Sequence, residues 1–202
     1  FDPDGQYALR LLNAVNPMGG LNISVVKPDE IKSAHDLLNP KYKGKIAGTD
    51  PSVPGSGLNV AAYLHMKLGE DFIKKLYVNQ RVQLSRDRRQ LGDFLARGTY
   101  PIVLGINNID AELNTLIANG FPIKPIVGFL AAGGFLSAGQ GIMVLMKNAP
   151  HPNAATIFVN WLASKEGQDI HARAERKVSA RADADETWAP SYSIPKPGME
   201  YY

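Results

Sequence analysis

Along this chain the apolar positions change period repeatedly, from short continuous runs to helical spacing and back. Lys43 to Asp50 (KGKIAGTD) reads as a short strand, and Leu58 to Leu68 follows the spacing of a helix. Gly69 to Asn79 predicts a second helix, with Phe72, Ile73, Leu76 and Tyr77 on one side. Asp87 to Gly98 predicts a third. There Leu91, Phe94 and Leu95 share a face, and Gly98 stands where a helix stops. Thr99 to Ile106 (TYPIVLGI) is almost continuously apolar, the pattern of a strand covered on both faces. Ile109 to Gly120 reads as a helix again, Phe121 to Leu130 as extended chain punctuated by prolines, and Gly141 to Lys147 as a strand.

A last helix is expected after Asn153, a good N-cap residue. Ala154, Ile157, Phe158, Trp161 and Leu162 form one apolar stripe on it, expected to pack in a core. From Val178 the chain turns polar and proline-rich, as a tail lying on the surface. Strands alternating with helices predict an α/β fold with a largely parallel sheet. In such sheets ligands sit beyond the carboxyl ends of the strands, near helix N-termini.

One junction holds more than a strand-to-helix turn needs. Asp50 to Gly57 reads DPSVPGSG, between the first strand and the first helix. A helix start presents unpaired N–H groups and partial positive charge. Gly55 and Gly57 would let a ligand approach those amides, Ser52 and Ser56 add hydroxyls, and Pro54 restrains the loop. That is one reading, an anion cradle. The other is a helix capped by Ser56 after a proline turn. No lysine follows the glycines, so the segment is not a nucleotide-binding P-loop.

Composition narrows the classes. With 45% hydrophobic and 20% charged residues over 202 positions, the chain can bury an ordinary core as one large domain or two small lobes. Cysteine is absent, which removes disulfides, thiolate catalysis and Cys-type zinc sites. The first residue is Phe1, so the chain reads as processed or truncated. The net charge of +3 is spread along the sequence apart from Ser85 to Gln90 (SRDRRQ), too little for a nucleic-acid stripe.

Two further polar spots fall at element ends. Arg86, Arg88 and Arg89 open a helix, where their charge opposes the helix dipole. They are either solvated or face something negative, and Arg86 and then Arg89 are the candidates to meet an anion. Asn107 and Asn108 follow the apolar strand and are either turn formers or hydrogen-bond donors to a ligand. The four histidines are scattered, no GxSxG or HExxH occurs, and no nucleophile–base set is found. No catalytic residue, cofactor or metal ligand is assigned.

Four segments together resemble one family: Lys27 to Gly57, Arg86 to Asn108, Ser137 to Gln168 and Tyr192 to Tyr202. They are similar to the extracellular solute-binding proteins of ABC importers, in the cluster that includes ferric-ion and aminoethylphosphonate binders. The resemblance implies a type 2 periplasmic-binding-protein fold, with two α/β lobes joined by crossing strands and a solute clamped between them. It implies one complete lobe here, plus the C-terminal part of the other. Residues 1–26 would be a remnant of the first lobe and a crossover strand, 27–124 the second lobe, and 125–202 the return to the first. Another chain or a missing N-terminal segment would complete that first lobe.

The resemblance also implies an anion at Ser52, Gly55, Ser56 and Gly57. In ferric binders a segment like Ile106-Asn107-Asn108 is followed by two tyrosines that hold iron. Here Ile109 and Asp110 follow, so the phenolate pair is absent. The expectation is a periplasmic, or membrane-anchored extracellular, protein. It would carry a small anionic solute to a membrane permease and bind no nucleic acid. The alternative is the ligand-sensing effector domain of a transcription regulator. An enzyme is the third class, without a residue set to support it.

Overall fold

The computed structural model describes residues 8–13, 15–106, 112–127, 135–136, 141–198 and 201. The chain forms two compact units, Phe1–Val15 with Leu136–Gly198 and Asn16–Phe135 with Met199–Tyr202. Among the described residues no helix is long and apolar enough to cross a membrane.

The larger unit is built on strands β3 (Gly19–Asn22), β4 (Ile46–Thr49), β5 (Gln83–Ser85), β6 (Ile102–Leu104) and β7 (Ile123–Ile126), in the order β5-β4-β6-β3-β7. β4 pairs parallel with both β5 and β6, while β3 lies antiparallel to β6 and β7. The sheet is therefore parallel except for one reversed strand. Successive side chains alternate between its faces. Ile46, Ile102 and Leu104 join Met18, Val60, Leu64, Phe72 and Leu76 in one core. Ala47 and Val103 join Leu91, Leu95, Leu113 and Ile123 in another. Helices cover both faces, which is why the central strands read as unbroken apolar runs.

The helices are α1 (Ser56–Lys74), α2 (Arg88–Arg97) and α3 (Glu112–Ala118). The expected break at Gly69 is present: its φ of 80° and ψ of 175° leave the helical region inside α1. Lys75–Asn79 continue as a π-helical turn. Gly98 ends α2 in the left-handed region, as its position in the sequence suggests.

In the smaller unit β1 (Ala8–Arg10) pairs antiparallel with β9 (Ile142–Val144). Helices α4 (Pro152–Ala163) and α5 (Lys165–Glu175) follow. Leu11, Leu12, Leu162 and Ala172 form a small core, against which Met143 and Trp188 pack. Short strands β2 (Val15–Asn16) and β8 (Phe135–Leu136) pair as a ribbon. The tail is pinned by backbone: the Val15 amide donates to the Ser193 carbonyl at 3.0 Å.

Two expectations fail here. The N-cap of α4 is His151, not Asn153, because Pro152, preset for a first helical turn, starts the helix earlier. The apolar stripe of α4 is not a core stripe in this chain. Leu162 alone of it is buried, while Ile157, Phe158 and Trp161 are 71%, 54% and 40% exposed. The reason is the smallness of the unit's core: only the Leu162 side of α4 meets α5 and the β1–β9 ribbon.

Candidate functional site

β4, β5 and β6 end together. Thr49 is in register with Ser85, and Gly48 with Leu104. The residues leaving these strands, Asp50, Arg86 and Gly105, are thus delivered to one end of the sheet, where open α/β sheets take ligands. α1 begins at the same end.

Asp50 organises the loop. Its Oδ1 accepts from the Ser52 amide at 2.9 Å and from the Ser52 hydroxyl at 2.7 Å, an Asx turn. Its Oδ2 accepts from Arg86 Nε at 2.8 Å. The Ser52 hydroxyl and amide, with Arg86, hold the Asp50 carboxyl well below the usual carboxylate range, at about 2. The structure therefore brings Ser52 and Arg86 together, with both hydrogen-bonded to one carboxylate. Arg86 keeps its two terminal amino groups available and remains largely exposed.

The head of α1 is seated by close backbone contact. A Cβ on Gly57 would lie 2.4 Å from the Thr49 carbonyl oxygen, so the missing side chain is what lets the helix start rest on the end of β4. Close packing is thus a reason for Gly57 beside the one expected from the sequence, approach by a ligand. Gly55 differs, with φ of 147° and open space where a Cβ would stand. Only glycine adopts that conformation readily. Thr49 Oγ1 donates to the Gly105 carbonyl at 3.1 Å, tying the ends of β4 and β6.

Ser56 is not the cap. Gly55 occupies that position, without a side-chain cap, and Ser56 is the first residue inside the helix. The first intrahelical bond runs from the Asn59 amide to the Gly55 carbonyl at 3.0 Å, so the amides of Ser56, Gly57 and Leu58 precede the ladder. Ser56 is 6% exposed, and its hydroxyl has no hydrogen-bond partner among the described residues.

α2 is finished differently. The Asp87 side chain caps it, accepting from the amides of Arg89 and Gln90. This carboxylate offsets part of the arginine charge at that end. Arg88 and Arg89 are exposed, and neither makes an ion pair among the described residues. Asn107 and Asn108 lie outside the described residues. The sequence reading missed Asp50, Thr49 and Gly105. The signal was there for Asp50, since Asp-Pro-Ser at a strand end is an Asx-turn pattern.

The assembly is a set of donors: uncapped amides, a serine hydroxyl and part of a guanidinium. It fits a negatively charged, oxygen-rich group. Among the described residues no cluster of three or more histidine, aspartate or glutamate side chains could hold a metal ion.

Comparison with known proteins places this geometry in a wider group. The family of bacterial extracellular solute-binding proteins matches residues 10–174. Iron-bound HitA from Pseudomonas aeruginosa superposes with a TM-score of 0.69 at 18% identity, covering 98% of this chain and 64% of HitA. AfuA from Actinobacillus pleuropneumoniae, a periplasmic binding protein solved with fructose-6-phosphate, gives 0.65 at 21% identity over 98% of this chain and 61% of AfuA. An uncharacterized protein of Haemophilus influenzae is 30% identical over 139 residues, 67% of this chain but 38% of that protein. The chain thus spans less than two thirds of these relatives' lengths. The fold is the type 2 periplasmic-binding-protein fold.

Proposed function

The chain belongs to the bacterial extracellular solute-binding proteins, and on that premise we propose that it captures a small anionic solute in the periplasm or at the cell exterior for an ABC importer. The protein binds and releases its cargo without chemistry and hands it to a membrane permease. The solute's anionic group sits at the head of α1, facing the amides that precede the helical ladder. Ser56 donates from its hydroxyl, Gly55 leaves the approach open, and Arg86 contributes its terminal amino groups. Arg89, Asn107 and Asn108 complete the set of contacts.

One observation carries this reading. The head of α1 lacks a side-chain cap, while α2, which starts at the same end of the sheet, is capped by Asp87. A helix start without a side-chain cap, with a serine as its first residue, is open to an acceptor from outside. The relative solved with fructose-6-phosphate supports a phosphorylated solute as the first candidate.

Calorimetry on the protein expressed from its whole gene tests the reading, with fructose-6-phosphate, inorganic phosphate and uncharged fructose as probes. The charged compounds bind and fructose does not. Equal affinity for fructose and its phosphate, or binding of neither charged compound nor of any anion in a wider panel, overturns the proposal.

A further inference from the structure

The larger unit has a second concave place, at the end of its sheet opposite the head of α1. Lys43 and Gln80 stand shortly before β4 and β5 begin, whereas Asp50 and Arg86 stand where those two parallel strands end. A cavity of 260 Å³ opens there, lined by Leu38, Pro40, Lys43, Lys75, Asn79 and Gln80. Small-molecule sites combine apolar walls with a few placed polar groups. Leu38 and Pro40 supply the walls, and Gln80 with the two lysines supplies the polar groups.

Gln80 is the informative residue. It is 5% exposed, yet its side chain is only half satisfied. Nε2 donates to the Asn39 carbonyl at 3.1 Å, while Oε1 is buried and has no hydrogen-bond partner among the described residues. The backbone of Gln80 is fully used. Its amide donates to the Lys75 carbonyl at 3.1 Å, and its carbonyl accepts from the Gly44 amide at 2.8 Å. The one position left open is thus an acceptor. A buried acceptor without a donor is costly, and native structures hold few of them. Lys43 and Lys75 present the opposite case. Both are exposed, and neither makes an ion pair among the described residues.

The backbone beside the cavity holds two uncommon conformations. Lys75–Asn79 form the π-helical turn, and Arg81, which is not glycine, has a φ of 55°. Such features are unfavourable by themselves and gather at functional sites. Here the π turn carries Lys75 and Asn79 to the cavity and ends on Gln80.

We propose that this cavity is a second ligand site, for a small anion that also carries a hydroxyl group. The anionic group meets Lys43 and Lys75, the hydroxyl donates to Gln80 Oε1, and the carbon skeleton lies on Leu38 and Pro40. A glutamine amide turns easily about its last torsion, which brings Oε1 to the cavity wall. An ammonium group is also a donor, but two lysines beside it repel a second cation. Hydroxycarboxylates and phosphorylated polyols share the required chemistry. None of these residues belongs to the solute site proposed at the head of α1, so the inference stands apart from that reading.

NMR on the protein expressed from its whole gene, with its lysines dimethylated by ¹³C-formaldehyde, tests the proposal. Lys43→Arg and Lys75→Arg assign the two signals. The probes are malate and glycerol 3-phosphate, each set against an analogue without hydroxyl groups, succinate and propyl phosphate. Both lysine signals are expected to shift with at least one hydroxylated anion, and which one names the class. The analogue binds at least tenfold more weakly. Asn79→Trp, which fills the cavity from an exposed position, abolishes the shifts. Four results overturn the proposal: no shift with either hydroxylated anion, equal affinity for anion and analogue, equal shifts at lysines throughout the protein, or shifts that survive Asn79→Trp. Gly55 to Asn59, at the head of α1, holds no lysine, so these signals do not report on the solute site proposed there.

Discussion

Arg86 Nε lies 2.8 Å from Asp50 Oδ2, so the residue that leaves β5 is tied to the residue that leaves β4. The pair also explains why an arginine is tolerated beside the start of α2. Its charge is balanced from within the protein, and the unengaged end of its guanidinium is exposed.

The pair makes acid behaviour testable. The Asp50 carboxyl is depressed to about 2, first by the Ser52 hydroxyl, then by the Ser52 amide and Arg86. A depressed carboxyl contributes stability that is fully present above its unfolded value, near 3.9, and is lost as pH falls through the folded value. The loop should therefore hold through pH 4 and loosen toward pH 2. Carbon NMR titration of the Asp50 side chain checks this. In Arg86→Ala the midpoint rises yet stays below the ordinary range, because the serine bonds persist. An ordinary midpoint in the unmodified protein would show that the turn does not form in solution.

Gly57 and Gly55 should respond differently to a side chain. Gly57→Val drives Cβ into the Thr49 carbonyl and should destabilise by about 1–3 kcal/mol or more, the scale of overpacking. Gly55→Ala meets open space and carries only backbone strain, also about 1–3 kcal/mol. Urea unfolding measures both. The discriminating variant is Gly57→Ala set against Gly55→D-Ala made by ligation. The D-residue suits a positive φ and should restore stability, while nothing relieves position 57. Wild-type stability in Gly57→Val would mean that α1 does not rest on β4.

Ser56→Ala isolates the solute contact. The residue is buried, yet its hydroxyl has no partner among the described residues, so the change should leave stability within about 0.5 kcal/mol. Affinity for a phosphorylated probe should fall by about 1.5–3 kcal/mol, the range for a hydrogen bond to a charged group. A variant that loses stability and keeps its affinity would make Ser56 a structural residue.

In the smaller unit, Gln168 is the polar keystone. Its Nε2 donates to the Leu162 carbonyl at 2.7 Å, and its Oε1 accepts from the Ser179 hydroxyl at 2.7 Å. Gln168→Leu removes both bonds at once, leaves the Leu162 carbonyl and the Ser179 hydroxyl without them, and should cost about 1–3 kcal/mol. Gln168→Glu, measured across pH, should recover part of that loss only while its carboxyl is protonated. A neutral Gln168→Leu would mean that water replaces both bonds.

Iron offers a spectroscopic check. The resemblance to ferric binders implies tyrosines where Ile109 and Asp110 stand, so titration with ferric citrate should give no red-orange phenolate band. Such a band would show that other tyrosines of the chain act as ligands.

Much of this was legible in the sequence, and the reasons differ by element. The unbroken apolar run of Ile102–Leu104 announced a strand covered on both sides because periodicity records burial directly. Gly69 announced the break in α1 for an equally local reason. The α4 stripe misled because periodicity shows which face is apolar but not whether a partner is present to cover it. The serine-glycine junction was visible as a surplus, yet its two glycines divide the work: one for conformation, one for packing. That division depends on the carbonyl of Thr49, a neighbour in space that no local pattern contains.

A Cβ on Gly105 would stand 3.1 Å from the Cα of Gly57, so two residues already at the smallest possible size meet there. A tight spot elsewhere in a protein can be eased by trimming the neighbour. On the Gly57 side there is nothing to trim, and a Cβ at Gly57 itself meets the Thr49 carbonyl, which no substitution removes. A lineage that gains a side chain at Gly57 must reposition the first turn of α1 and, with it, the direction in which its unpaired amides point.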